Sequence, residues 1–394
     1  MGLFLGACSS GTIDDNVEYI PVSTDGNTWG FMSRDGEIIL DGEYDNCPSV
    51  VYNGYFSVGT ENDHYALYTF DKKRPTIVKN CDDLTSVGAF SEGVVPVCRA
   101  GERITLVDGN GEKVATLDRV KGKEITVCDA IFCDGLLLAQ NEDGKMGYLG
   151  HDGKAAIAFK YDRAGTFSEG LAYVGVRSGS DERFSVIDTK GEKVFSLKSG
   201  HRPTNIFHEG YMSVENREGG CGFYDKKGEF TKCPSKVKWI GEYNADVYVF
   251  RGDNYNYGLM SRDGELLLSA KYDVMSICND KVVARKDKNV IIFNLKGDEE
   301  ARISDASAFI SYSNFPIMVK SDGEFTCYTL GGELIKKSDF KDYNAFLSIG
   351  GVRSDYKNES STNTSAAAYP EVEIEEEYME VAADSVAAEP DYFY

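Results

Sequence analysis

The sequence predicts an all-β protein built from tandem copies of one short strand-rich unit. Three observations predict it. A Gly-containing turn motif recurs about every 37 residues, a second motif recurs in the same register, and aromatic and β-branched residues dominate the segments between. The 394 residues are 42% hydrophobic and 12% aromatic, mostly as 24 Tyr and 21 Phe, with 41 Gly and only 9 Pro. Tyr, Phe and Val favour pleated, half-buried surfaces, and that Gly-to-Pro balance suits many tight turns and few rigid linkers.

One unit shows the pattern in full. Gly144-Lys145-Met146-Gly147-Tyr148-Leu149 leads into His151-Asp152-Gly153, then Ala155 to Tyr161-Asp162, then Phe167-Ser168-Glu169-Gly170-Leu171-Ala172. It reads as a strand, a turn whose Asp-Gly step supplies positive φ, a second strand ending in Tyr-Asp, a loop and another strand. Trp29-Gly30-Phe31-Met32-Ser33-Arg34-Asp35-Gly36 and Tyr257-Gly258-Leu259-Met260-Ser261-Arg262-Asp263-Gly264 repeat it closely, and Cys221–Gly228 repeats it in worn form. The turns fall at positions 36, 73, 111, 153, 191, 228, 264, 297 and 332, with Lys73 in place of a Gly. The second ladder is Phe90-Ser91-Glu92-Gly93, Phe132-Cys133-Asp134-Gly135, Phe167–Gly170 and Phe207-His208-Glu209-Gly210. Periods of 20–50 residues mark solenoids, propellers or arrays.

These residues resemble the WG-repeat family of bacterial proteins over about residues 18–352. The signature Trp survives as Trp29, with Met146 and Tyr257 in its place elsewhere. The resemblance implies an all-β repeat scaffold without assigned chemistry.

A unit of this size holds three or four short strands and cannot bury both faces of its sheet alone, so neighbours must stack. The expected architecture is a β-propeller-like ring; an open β-solenoid or superhelix is the alternative. Nine units exceed the usual four to eight blades, which predicts that one unit serves as a cap or shares strands. No helix is expected in the repeat body.

The organisation read from the sequence has three parts. Residues 1–17 form an N-terminal tether, 18–352 the repeat domain and 353–394 an acidic tail. Leu5-Gly6-Ala7-Cys8 resembles a bacterial lipobox, which implies lipidation of Cys8 and a cell-envelope protein, at the outer membrane or cell surface, held by its lipid alone. No Lys or Arg precedes this stretch and its apolar run is short, so a longer signal with an upstream start is expected. The tail carries 11 acidic against 2 basic residues, a composition that cannot bury enough apolar surface to order itself.

The net charge of −22 repels nucleic acid and anionic lipid. With Cys8 set aside, nine Cys remain without CxxC spacing and read as free thiols. His201 and His208, seven apart, are the only histidine pair with metal-like spacing. His151 has a turn position, and none of the nucleophile, phosphate-loop or zinc motifs is present. Asp35, Asp45, Asp152, Asp162, Asp263 and Asp273 occupy repeat-equivalent positions, which points to backbone hydrogen bonding and not to catalysis. The reading that follows is a non-catalytic, surface-exposed binding or scaffold lipoprotein, with a protein or glycan partner and no cofactor or metal. The alternative is a propeller-type glycan-acting hydrolase, which would need non-equivalent carboxylates converging in one pocket.

Overall fold

The computed structural model describes residues 16–70, 74–117, 119–244, 246–311, 314–321, 324–340 and 342–343. Cys8 and the acidic tail 353–394 lie outside the described residues. Their strands form nine four-stranded antiparallel blades. Blade 4 is typical, with Ile125–Val127, Leu137–Asn141, Met146–Leu149 and Ala155–Tyr161 side by side in chain order. Blades 2, 3 and 5–9 repeat this order over 51–77, 86–116, 163–196, 201–232, 239–272, 274–304 and 308–340.

Blade 1 is assembled from both ends of the described chain. Val17–Ser23, Trp29–Met32 and Ile38–Tyr44 supply three strands, and Asp342–Tyr343 adds the fourth through Val22↔Tyr343 and Ser23↔Asp342. Val17 and Tyr19 also pair with blade 2. All nine units are therefore blades. None is set aside as a cap; the strand sharing expected for a ninth unit is what occurs, between the chain's two ends.

The ring is closed by a contact that recurs between its other blades. Where a blade's turn glycine is described, it stands against the outer strand of the blade before it or the residues just after that strand. A Cβ on Gly153 would lie 2.7 Å from the Thr116 carbonyl, and one on Gly191, Gly228 or Gly297 would press on Ile157, Phe195 or Leu267. Gly36 of blade 1 meets Ile335 of blade 9 in the same way, at 2.9 Å. Arg262 of blade 7 likewise lies 3.8 Å from the Phe223 ring of blade 6, and Arg34 of blade 1 lies 5.5 Å from that of Phe315 in blade 9.

Apolar clusters fill each interface. Phe31, Val51, Phe56 and Phe70 join blades 1 and 2, and Val186, Phe207, Met212 and Tyr224 join 5 and 6. Val22 and Met32 pack in one cluster with Phe315, Met318 and Cys327, across the junction of blades 9 and 1. Burial of this kind contributes about 25 cal/mol per Å², and because it recurs around the ring no blade flank is left for a cap to cover.

The motifs have physical explanations at this level. In eight described turns the glycine N–H donates to the carbonyl three residues back, as Gly36 to Ser33 at 3.0 Å and Gly153 to Gly150 at 2.9 Å. The side chain that caps the turn is usually two residues before the Asp-Gly step. Asp108, Asp188, Asp225 and Asn294 each accept two backbone N–H groups there, and Ser33 and Ser261 stand at the same place. Asp152 does accept Lys154 N–H at 3.0 Å and Asp162 accepts Arg177 N–H at 2.8 Å. The glycine of Trp-Gly marks a bulge: the ladder shifts register between Met146 and Tyr148, and a Cβ on Gly147 would strike Phe159 and the Ile157 carbonyl.

The Phe-Ser-Glu-Gly ladder links consecutive blades. Ser91 Oγ accepts Phe132 N–H and donates to Phe132 O, each at 2.9 Å, and Ser168 Oγ donates to Phe207 O at 2.7 Å. Asp134 accepts Gly170 N–H at 2.8 Å and Glu169 accepts Gly210 N–H at 2.9 Å. The expected absence of helices is met by one short 3₁₀ turn, Glu61–Asp63, among the described residues. Cys47, Cys81, Cys98, Cys128, Cys221, Cys233, Cys278 and Cys327 form no disulfide, but the reading of all nine cysteines as thiols is corrected at Cys133, which is disulfide-bonded.

Candidate functional site

On blades 4–7 the first strands and the residues after them, with parts of the strands beside them, line an open cavity of about 610 Å³. Its walls carry Asp129, Arg163, Thr166, Tyr173, Asn205, Ser213, Glu215 and Trp239.

Strand register puts two of these residues, Arg163 and Trp239, on one level with Thr126 and Arg202 of the neighbouring blades. Thr126, Arg163, Arg202 and Trp239 stand opposite Gln140, Gly175, Glu215 and Arg251, so they occupy the same place on four successive first strands. Their side chains differ widely, although the strands beneath them are alike. Asp129 also breaks the pattern: it stands three residues before Phe132, where Ala164, Thr204 and Ile240 precede Phe167, Phe207 and Tyr243.

Asp129 is only partly exposed and receives the Thr166 hydroxyl. Burial pushes its carboxyl above the usual range, and the Thr166 bond offsets part of that. Burial also raises the Tyr173 hydroxyl, helped by Asp129 nearby and opposed by Arg163. Tyr148, fully buried behind the wall, donates to Gly165 O at 2.6 Å and so fixes the strand that carries Arg163. Thr204 and Ser213 hydroxyls share a bond of 2.8 Å. Trp239 is 37% exposed, lies against Gly241, where a Cβ would touch it at 2.7 Å, and meets Tyr257 edge-on at 6.1 Å. The arrangement offers a flat apolar face, hydroxyl and amide groups, two carboxylates and guanidinium donors to one bound molecule.

The residues singled out from the sequence lie elsewhere. His201 is buried and pairs with the Tyr224 hydroxyl at 3.0 Å, while His208 packs edge-on against Tyr243. His151 stacks on Phe132 at 4.2 Å. Among the described residues no group of three or more His, Cys, Asp or Glu stands ready for a metal, and no helix is long and apolar enough to cross a membrane. Asp273 faces Arg285 at 3.6 Å. The sequence reading named no cavity residue as a site; aligning the units on the Phe-Ser-Glu-Gly ladder and noting that the second Trp falls outside the Trp-Gly position would have found Asp129 and Trp239.

Residues 29–62 and 146–177 match the family model described as WG containing repeat. No curated protein matches the chain. Among solved structures, a crystal structure of a eukaryotic initiation factor is similar over 83% of this chain and 96% of its own, at 8% identity and a TM-score of 0.57. BamB from Moraxella catarrhalis is similar over 73% and 89%, at 15% identity and a TM-score of 0.37. The first of these likenesses supports the fold alone.

Proposed function

We propose, for a chain that carries WG-containing repeats at residues 29–62 and 146–177, that the ring is a binding module whose ligand sits in the cavity of blades 4–7. The observation that carries this reading is the break in repeat equivalence at the cavity. Elsewhere the repeated polar groups serve turns and blade junctions. Asp129, Arg163, Glu215 and Trp239 depart from the repeat and line one cavity, Asp129 while also accepting the Thr166 hydroxyl of the next blade. In this reading the protein is non-catalytic, needs no cofactor, and is held in the cell envelope by lipid on Cys8.

The test of the site is an array of glycans and peptides probed with the full chain and with Trp239→Ala. Capture by the parent that falls at least tenfold in the variant, with an unchanged circular dichroism spectrum, supports the reading. Equal capture by both removes it. Metabolic labelling with a fatty acid, lost in Cys8→Ser, tests the anchor. One observation favours a second reading, glycan hydrolysis: the non-equivalent carboxylates Asp129 and Glu215 line the same cavity. Turnover of a glycan that disappears in both Asp129→Asn and Glu215→Gln would establish it.

A further inference from the structure

The chain carries 64 acidic against 42 basic residues, yet five arginines gather on the neighbouring blades 5 and 6, and one of them, Arg163, lines the cavity. Glu182 of blade 5, only 8% exposed, holds three of them: Arg163 Nε at 3.0 Å, Arg177 at 3.5 Å and Arg202 at 3.9 Å. Asp181 beside it holds Arg183 at 3.2 Å and Arg217 at 3.7 Å. A guanidinium has five N–H donors and a carboxylate about four acceptor sites, so two carboxylates cannot use what five guanidiniums offer. The side chains of Arg163, Arg177, Arg183, Arg202 and Arg217 remain 49–82% exposed. The buried carboxylate therefore positions a set of guanidiniums whose remaining donors face solvent.

This arginine cluster adjoins an aromatic one. Arg163 and Trp239 line the same cavity, and Arg202 shares their level on the strand between them. Beyond Trp239, Arg251 lies 5.6 Å from the indole and 5.5 Å from the ring of Tyr255, which is 74% exposed.

Resting on the cavity's role as a binding site, we infer that this cluster is the carboxylate subsite for an acidic saccharide, an oligosaccharide bearing hexuronate residues. Each part of such a ligand has a counterpart. The guanidinium fork matches a carboxylate in a bidentate way. The indole offers a flat face to the C–H side of a pyranose. Asp129, Glu215 and Asn205 are acceptors that call for hydroxyl donors, which sugar rings supply and a polyphosphate or polyglutamate backbone lacks. The overall charge of −22 further disfavours densely charged polyanions such as nucleic acid.

The test is calorimetric titration of the full chain with trigalacturonate, a neutral cellotriose, hexaglutamate and oligothymidylate. Trigalacturonate binds at least tenfold more tightly than cellotriose, and its affinity falls with added salt. Arg202→Gln and Arg217→Gln each weaken it by roughly tenfold; both leave Arg163 on Glu182, so the fold is retained. Equal binding of the neutral sugar, tighter binding of hexaglutamate or oligothymidylate, or silence of both arginine variants overturns the acidic-sugar assignment. Sugar binding that Trp239→Ala abolishes but the arginine variants leave intact would overturn it and keep the cavity as the binding site. Failure of all four probes overturns the assignment, while the array result with Trp239→Ala decides the cavity separately.

Discussion

Replacing Ser91 by Ala removes a hydroxyl that is 3% exposed and serves both backbone groups of Phe132 in the next blade. No solvent reaches the site, so the Phe132 N–H and C=O lose their partner at once. A buried backbone group left without a partner costs about 1–3 kcal/mol. Two such groups, with some relaxation, place the cost at roughly 2–4 kcal/mol. Ser168 makes one bond of this kind, to Phe207 O, so Ser168→Ala should cost about half as much. A ring of blades need not unfold in one step, so the informative assay is local. Amide hydrogen exchange at Phe132 reports opening of the junction between blades 3 and 4. A loss of 2 kcal/mol corresponds to about 30-fold faster exchange. Unchanged exchange at Phe132, or a larger effect from Ser168→Ala than from Ser91→Ala, would refute the account of the Ser ladder as a blade-to-blade latch.

Three further outcomes are expected. Gly153→Ala combines a φ of +75° with a Cβ 2.7 Å from the Thr116 carbonyl; it should destabilise by about 1–3 kcal/mol in denaturant titration, whereas Gly170→Ala, at φ +82° with open space around it, should cost less. The Asp25 carboxyl accepts Asn27 and Thr28 N–H, which hold its pKa down to about 2; its contribution is present above the ordinary carboxylate range and lost as pH falls towards 2, readable as a low midpoint in a carbon-13 titration. Asp129 is shifted the other way, upwards by burial, so the protein should lose stability as pH rises through that folded value, and Asp129→Asn should abolish that fall in denaturation midpoints measured across the acid range.

Much of the fold is legible in the residues. The turn glycines mark the loop between the third and fourth strands of every blade whose turn is described, because only Gly fits both the positive φ and the neighbouring blade. Ring closure was less legible. The closing strand, Asp342–Tyr343, is two residues long and lies outside the repeat ladders, so no periodicity announces it. The Asp-Gly step points to its aspartate as the capping group, yet the caps are mostly the Ser, Asp or Asn two residues earlier, because that side chain reaches the N–H groups across the turn. The candidate site was not legible at all by motif. Its residues matter through their departure from the repeat, and a search for recurring patterns passes over departures by construction. Trp239 and Arg251 come together only because antiparallel register sets them opposite each other.

The sharing of blade 1 between the chain's two ends has a consequence during synthesis. Val17–Ser23, Trp29–Met32 and Ile38–Tyr44 are made before the other described strands but must wait for residues 342–343 before their fourth lane is occupied. Until then the nascent protein is an arc with two sticky flanks, one bearing Gly36 and Met32 and the other Ile335 and Cys327. Exposed flanks of this kind invite misassembly between nascent copies, and the two-residue closing strand is what removes them.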